Sequence, residues 1–167
     1  MPARRFLLLL FFLDLGFAGF ARADQTGFTL SDSVFQQGSL LRTYAVVFDY
    51  DKNTIRPPAF PFLDSVAQFL LKHDSLSFEI RSHLDVRSSS EMYGQNLSQK
   101  RAKAIADYFI AKGIAAKRLI PKGYHNTMPL FSKQEIAKMK TKEEQEAAYA
   151  KNRRVEFVII STKKPGE

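Results

Sequence analysis

An α/β fold, with helices packed on a mixed and mostly parallel sheet, is what the patterning of this chain predicts. Three observations carry that expectation. Short runs rich in strand formers alternate with stretches of helical spacing in the order β-α-β-α-β-α-β, and such alternation builds sheets covered by helices. The 167 residues, 45% hydrophobic and 25% charged, fit one domain with a real core. There is no cysteine, which excludes disulfides, thiolate metal sites, cysteine nucleophiles and a lipid-bearing N-terminal cysteine. Packing alone must hold the fold.

The first 23 residues read as an export signal. Arg4 and Arg5 precede an apolar stretch from Phe6 to Phe20, and Ala21-Arg22-Ala23 is an A-x-A cleavage site. Asp14 interrupts the apolar stretch, and a carboxylate in hydrocarbon is costly. A polar residue tolerated in a short-lived leader explains it better than a retained anchor carrying a proton on Asp14, because a span needs ~20 apolar residues. Loss of Arg4, Arg5, Arg22 and Asp14 with the leader takes the formal charge from +8 to +6. A basic surface suits nucleic acid, anionic lipid or an acidic polymer, and export makes nucleic acid the poorest fit.

Residues 24–42 form a lead-in segment with apolar pieces at Phe28–Leu30 and Val34–Phe35 and room for a short strand. The domain proper is expected over 43–162, with a tail at 163–167. Tyr44–Phe48 is the first expected strand, followed by the polar turn Asp49–Asn53 and by Pro57-Pro58, which fits neither a helix interior nor a central strand. Leu63, Val66, Ala67 and Leu70 then follow i, i+3, i+4, i+7, the mark of an amphipathic helix from Pro61. Leu76–Arg81 reads as a strand with Phe78 and Ile80 on one face. A long helix ends at Gly113, with Ser88 and Glu91 as its capping box. Arg118–Ile120 is a short strand, 123–129 a loop and 132–151 a charged helix. Arg154–Ser161 closes the chain as a strand apolar on both faces, hence central in the sheet.

On the long helix, Tyr93, Leu97, Arg101, Ala104, Ile105 and Tyr108 share a face that is apolar except for Arg101. A guanidinium there must reach water or meet a partner, since burying it unpaired is expensive. Asp85 follows a strand directly, in a polar loop ahead of a helix, where α/β sheets bind ligands. Together, an Asp and an Arg could grip a zwitterion, carboxylate to ammonium and guanidinium to carboxylate, or simply pair with each other. Spacing leaves both readings open. His83 near serines evokes a hydrolase, but no GxSxG-type elbow is present. Three histidines and scattered carboxylates give no metal-site spacing, and no cofactor is expected.

Four motifs in order carry a resemblance: Phe48-Asp49-Tyr50-Asp51-Lys52, Ser82-His83-Leu84-Asp85, Asn96-Leu97-Ser98-Gln99-Lys100-Arg101-Ala102 and Asn152-Arg153-Arg154-Val155-Glu156. Over about 43–160 the chain resembles the OmpA-like C-terminal domain, whose family includes peptidoglycan-associated lipoproteins and the periplasmic part of flagellar stators. The resemblance implies an α+β sandwich and a non-enzymatic, non-covalent grip on the diaminopimelate of peptidoglycan stem peptides, in the periplasm. It implies that Asp85 meets the ligand's ammonium and Arg101 its carboxylate, with Asp49, Asp51, His83 and Leu84 around them. A membrane-anchored stator using Asp14, or a protein-interaction module with a disabled pocket, are the alternatives. The chain departs from the family pattern at Ser82 and Leu84, which stand for Gly and Thr, at Gly94, at Tyr124-His125-Asn126, and in one extra residue between Asp85 and Arg101.

Overall fold

The structure, a computed structural model, describes residues 27–87, 90–164 and 166. The expected leader with Asp14 and the expected cap Ser88 lie outside them. Four strands, β1 (Leu40–Thr43), β2 (Ser77–His83), β3 (Leu119–His125) and β4 (Val155–Ser161), form one sheet in the order β1-β4-β2-β3. Four helices, α1 (Phe60–Lys72), α2 (Glu91–Ala111), α3 (Lys133–Ala137) and α4 (Lys142–Asn152), complete the β-α-β-α-β-α-β order, the third helical stretch being split in two. Among the described residues no helix is long and apolar enough to cross a membrane.

The sheet is mixed, as expected, but not mostly parallel. Of these four strands, β2 and β3 run parallel, while β4 lies antiparallel to both β1 and β2. Local alternation does encode the β2-α2-β3 crossover. It does not encode that the last strand inserts between the first two. The central place of β4 is as expected.

The first strand is also displaced from Tyr44–Phe48. Leu40–Thr43 pairs with Val158–Val155, and the chain then leaves the sheet at a bend where Thr43 Oγ1 accepts the Ala45 N–H at 3.0 Å. Val46 is buried beyond that bend, so an apolar run that looks like a strand supplies core contacts from extended loop. The lead-in contributes as well. Phe28 packs its ring 6.0 Å from Phe69 and 5.8 Å from Phe78, and Phe35 sits edge-on to Phe69 at 5.3 Å. These rings begin an aromatic core that Phe109 and Phe157 continue.

Helices α1 and α2 bury Leu63, Val66, Leu70, Ile105 and Phe109 against Phe78, Ile80, Val155, Phe157 and Ile159 of the sheet. Helix α2 is capped at its N-terminus by Ser90. The Ser90 hydroxyl accepts the Tyr93 N–H, at 3.4 Å. It stops where expected, at Gly113 with φ +95°. Its buried line runs through Gly94, Ser98, Ala102, Ile105, Ala106 and Phe109, so small residues let it lie close to β3. Gln95 Nε2 donates to Gly123 O at 2.8 Å, Gln99 Nε2 donates to Pro121 O at 3.0 Å, and Gln99 Oε1 accepts the Gly123 N–H at 2.8 Å. Side chains of α2 thereby satisfy the main chain of an edge strand.

Arg118 ends a 3₁₀ turn, Ala116–Arg118, rather than opening a strand. Its buried guanidinium donates to Leu76 O at 2.7 Å and to Leu70 O and His73 O at 2.8 Å. It caps carbonyls that α1 leaves free at its C-terminus. Arg118→Met is expected to cost about 2–3 kcal/mol, the scale of charged hydrogen bonds lost from a buried place. Urea unfolding measures this, and a loss below about 0.5 kcal/mol would mean that water replaces the guanidinium freely.

Candidate functional site

The end of β2, the loop 47–56, helix α2 and the α4–β4 junction enclose a cleft of about 870 Å³. All six residues expected at a site line it: Asp49, Asp51, His83, Leu84, Asp85 and Arg101.

The loop is a closed turn. Phe48 bridges Ile55, Asp49 N donates to Thr54 O at 3.0 Å, and Lys52 N to Asp49 O at 3.1 Å. Asp51 takes a left-handed φ of 58°, which aspartate tolerates better than most residues. Arg101 clamps this turn to α2. Its Nε donates to Lys52 O at 2.8 Å, its Nη2 to Asp49 O at 3.2 Å, and the guanidinium lies 4.8 Å from the centre of the Phe48 ring. Burial lowers its pKa from the ordinary guanidinium value, against the pull of Asp51. The lone charge on an apolar face is therefore neither stray nor idle; it shapes the cleft wall while facing the cavity. Asp51 holds the Tyr93 hydroxyl above its ordinary pKa, and the Asp49 carboxylate lies 3.9 Å from Arg56.

Asp85 is held by two arginines. Arg87 N donates to its Oδ1 at 2.9 Å, an Asx-type turn, while Arg87 Nη2 and Arg153 Nη1 reach Oδ2 at 2.9 and 2.6 Å. Burial works against the charge on Asp85, yet the bonds from Arg87 and Arg153 prevail and keep its carboxyl below the usual range. Asp85 and Arg101 share the cleft without pairing with each other.

Beneath the cleft floor lies a buried ionic layer. Glu156, on the central strand, accepts from Arg154 at 2.7 Å and from Arg42 at 3.0 Å. His83 Nε2 is 3.3 Å from its other oxygen, close but not aligned for a hydrogen bond. The His83 ring is almost wholly buried and stacks on Tyr124 at 5.4 Å. Burial holds His83 below its ordinary pKa, hence neutral. Burial also opposes the charge on Glu156, but His83 and Arg154 drive its carboxyl far down. His83 thus borders the cavity but spends its side chain on the layer below.

The run Asn152–Glu156 serves three tasks in alternation. Buried Asn152 pins the loop before α3, accepting from Leu130 N at 2.8 Å and Phe131 N at 3.0 Å and donating to Phe131 O at 2.7 Å. Arg153 points to Asp85, and Arg154 points the other way to Glu156. Sequence reasoning quoted this motif without giving Arg153 or Arg154 a task, and it missed Arg87 altogether. An Asp-x-Arg step after a strand was the available signal.

The fold and cleft together define a mixed α+β domain with a charged recess at the end of its central strands. The chain belongs to the OmpA family, whose model matches residues 47–143. It is 31% identical over 118 residues to outer membrane protein P5 of Haemophilus influenzae, covering 71% of this chain and 33% of that protein. Over 91 residues it is 38% identical to Photosystem I P700 chlorophyll a apoprotein A2 of Gloeobacter violaceus, covering 54% of this chain and 10% of that one. The cell wall anchor of the T6SS from Pseudomonas aeruginosa superposes with a TM-score of 0.55 at 25% identity, over 73% of this chain and 79% of that structure. The chain spans between a tenth and about half the length of the first curated relatives it matches. Almost all of α4 falls after the matched residues.

Proposed function

We propose that this domain holds peptidoglycan without covalent chemistry in the bacterial envelope, exported behind a leader that is removed before Asp24. The cleft takes the diaminopimelate end of a stem peptide. Asp85 receives the ammonium, Arg101 faces the carboxylate, Asp49 and Asp51 line the mouth, and His83 and Leu84 form the floor. One observation carries the reading: a carboxylate from the end of β2 and a guanidinium from α2 face one cavity yet do not neutralise each other. A zwitterion needs opposite charges held apart. A wall anchor among the similar structures and family membership over most of the domain support it. The reading is one of binding, not catalysis, since His83 is turned into the ionic layer rather than toward a nucleophile.

The test is co-sedimentation of the purified protein with isolated peptidoglycan, beside Asp85→Ala and Arg101→Ala. Asp85→Ala is expected to weaken binding at least about tenfold, since a desolvated charge contact is worth more than 1.4 kcal/mol. Arg101→Ala is expected to do the same and also to loosen the turn it clamps. Wild-type retention by both variants would remove the cleft as the wall-binding site.

A further inference from the structure

Asp85 meets its ligand only by exchanging partners. Its two oxygens accept four N–H groups: Arg87 N at 2.9 Å, Arg87 Nε at 3.4 Å, Arg87 Nη2 at 2.9 Å and Arg153 Nη1 at 2.6 Å. A carboxylate offers about four lone-pair sites, so an arriving ammonium finds them filled. It is also repelled by two like charges. One guanidinium must give way.

Arg87 has somewhere else to go. Its Nη1 already donates to Glu146 Oε1 at 2.6 Å, and its guanidinium lies 3.9 Å from the centre of the Tyr149 ring. Glu146 and Tyr149 stand three residues apart, on one face of α4. An aromatic face and a carboxylate make a complete alternative berth for a guanidinium. The side chain is about half exposed, so the shift opens no hole in the core. Helix α4 lies almost wholly outside the family match, as do β1 and β4.

Resting on the reading of Asp85 as the ammonium acceptor, we infer that Arg87 is a specificity-determining gate. It occupies Asp85 in the empty cleft and withdraws onto Glu146 and Tyr149 when a ligand ammonium takes its place. Glu146 already holds one Arg87 nitrogen and can take a second once Asp85 releases it, and this gain lowers the cost of withdrawal without any contact to ligand. A ligand whose amine is acylated carries no charge to evict Arg87 and leaves the gate shut.

Calorimetry with a soluble stem peptide ending in diaminopimelate tests the gate, using the purified protein, Arg87→Gln, Glu146→Gln, the double variant and Asp85→Ala. Arg87→Gln is expected to tighten binding about three- to tenfold and Glu146→Gln to weaken it at least about threefold, the range of single charge contacts near a surface. In the double variant the Glu146 effect disappears and the affinity matches that of Arg87→Gln. Weaker binding by Arg87→Gln would make Arg87 a ligand contact and overturn the gate. Equal Glu146 effects in both backgrounds would overturn it too. Retained binding by Asp85→Ala would instead show that the underlying reading of Asp85 has failed.

Discussion

Gly123→Ala is expected to destabilise the domain by about 3–5 kcal/mol and to lower Tm by at least about 10 °C. A Cβ built at this position lies 2.3 Å from Gln99 N, 2.5 Å from Ser98 Oγ and 2.8 Å from Gln99 Cα. Two of those atoms are helix backbone, which no rotamer change can move aside. Helix α2 would have to back away from β3, straining the bonds of Gln95, Ser98 and Gln99 to that strand. Arg101 would travel with it, so the proposed binding of peptidoglycan should fall along with Tm. Gly27→Ala is the control, since its nearest neighbour would be Leu40 O at 3.9 Å. Thermal melts followed by circular dichroism decide the matter. A Tm within about 2 °C of wild type would show that the helix is free to shift.

Glu156→Ala is expected to cost about 3–5 kcal/mol, because it leaves the guanidinium of Arg154 buried and uncompensated. Both side chains are nearly inaccessible, at 3% and 2%. Adding Arg154→Met should recover much of the loss, since an apolar replacement for a buried ion pair is often neutral. Urea midpoints of the two single variants and the double variant measure this. Equal losses in Glu156→Ala and in the double variant would sink the account.

The same layer sets a pH dependence. Folding drives the Glu156 carboxyl below its ordinary 4.5. Its contribution is therefore complete above pH 4.5 and is lost as pH falls toward the folded value. Burial also lowers His83 from 6.5, so the neutral ring carries no pH-linked penalty above pH 6.5 and a growing one as pH falls from 6.5 toward the lowered value. Both push one way. Stability should drop steadily from pH 7 to pH 4, and the part below pH 5 should be shallower in Glu156→Gln.

Much of this was legible in the residues. The 3.6 period of Leu63, Val66, Ala67 and Leu70 locates α1, Gly113 ends α2, and apolar side chains on both faces centre β4. Each is a local property. What escaped notice was non-local. Tyr44–Phe48 has strand composition, but Val155–Val158 pairs with Leu40–Thr43 instead, and only the assembled sheet decides which four residues win. Strand direction failed for the same reason, since the insertion of β4 leaves no periodic trace. At the site, the six expected residues gather around one cleft, but their partners did not declare themselves. Arg101 is expected to reach water, a ligand or Asp85, yet it also clamps a turn 49 residues away in the chain. A salt bridge for Asp85 is open in the sequence, but with Arg101, whereas Arg153 arrives from 68 residues further on.

The glutamine bonds from α2 to β3 bear on how copies of the chain treat one another. With Gln95 and Gln99 seated on Pro121 and Gly123, a foreign strand cannot hydrogen-bond along that margin without first evicting a helix. At the opposite margin Gly27 and Phe28 sit against Leu40, and β1 is only four residues long. Templated strand addition, a common start of fibrils, is blunted on both sides. Strand addition between copies is therefore disfavoured at both margins, and a partner is expected to engage through side chains and shape rather than by lengthening the sheet.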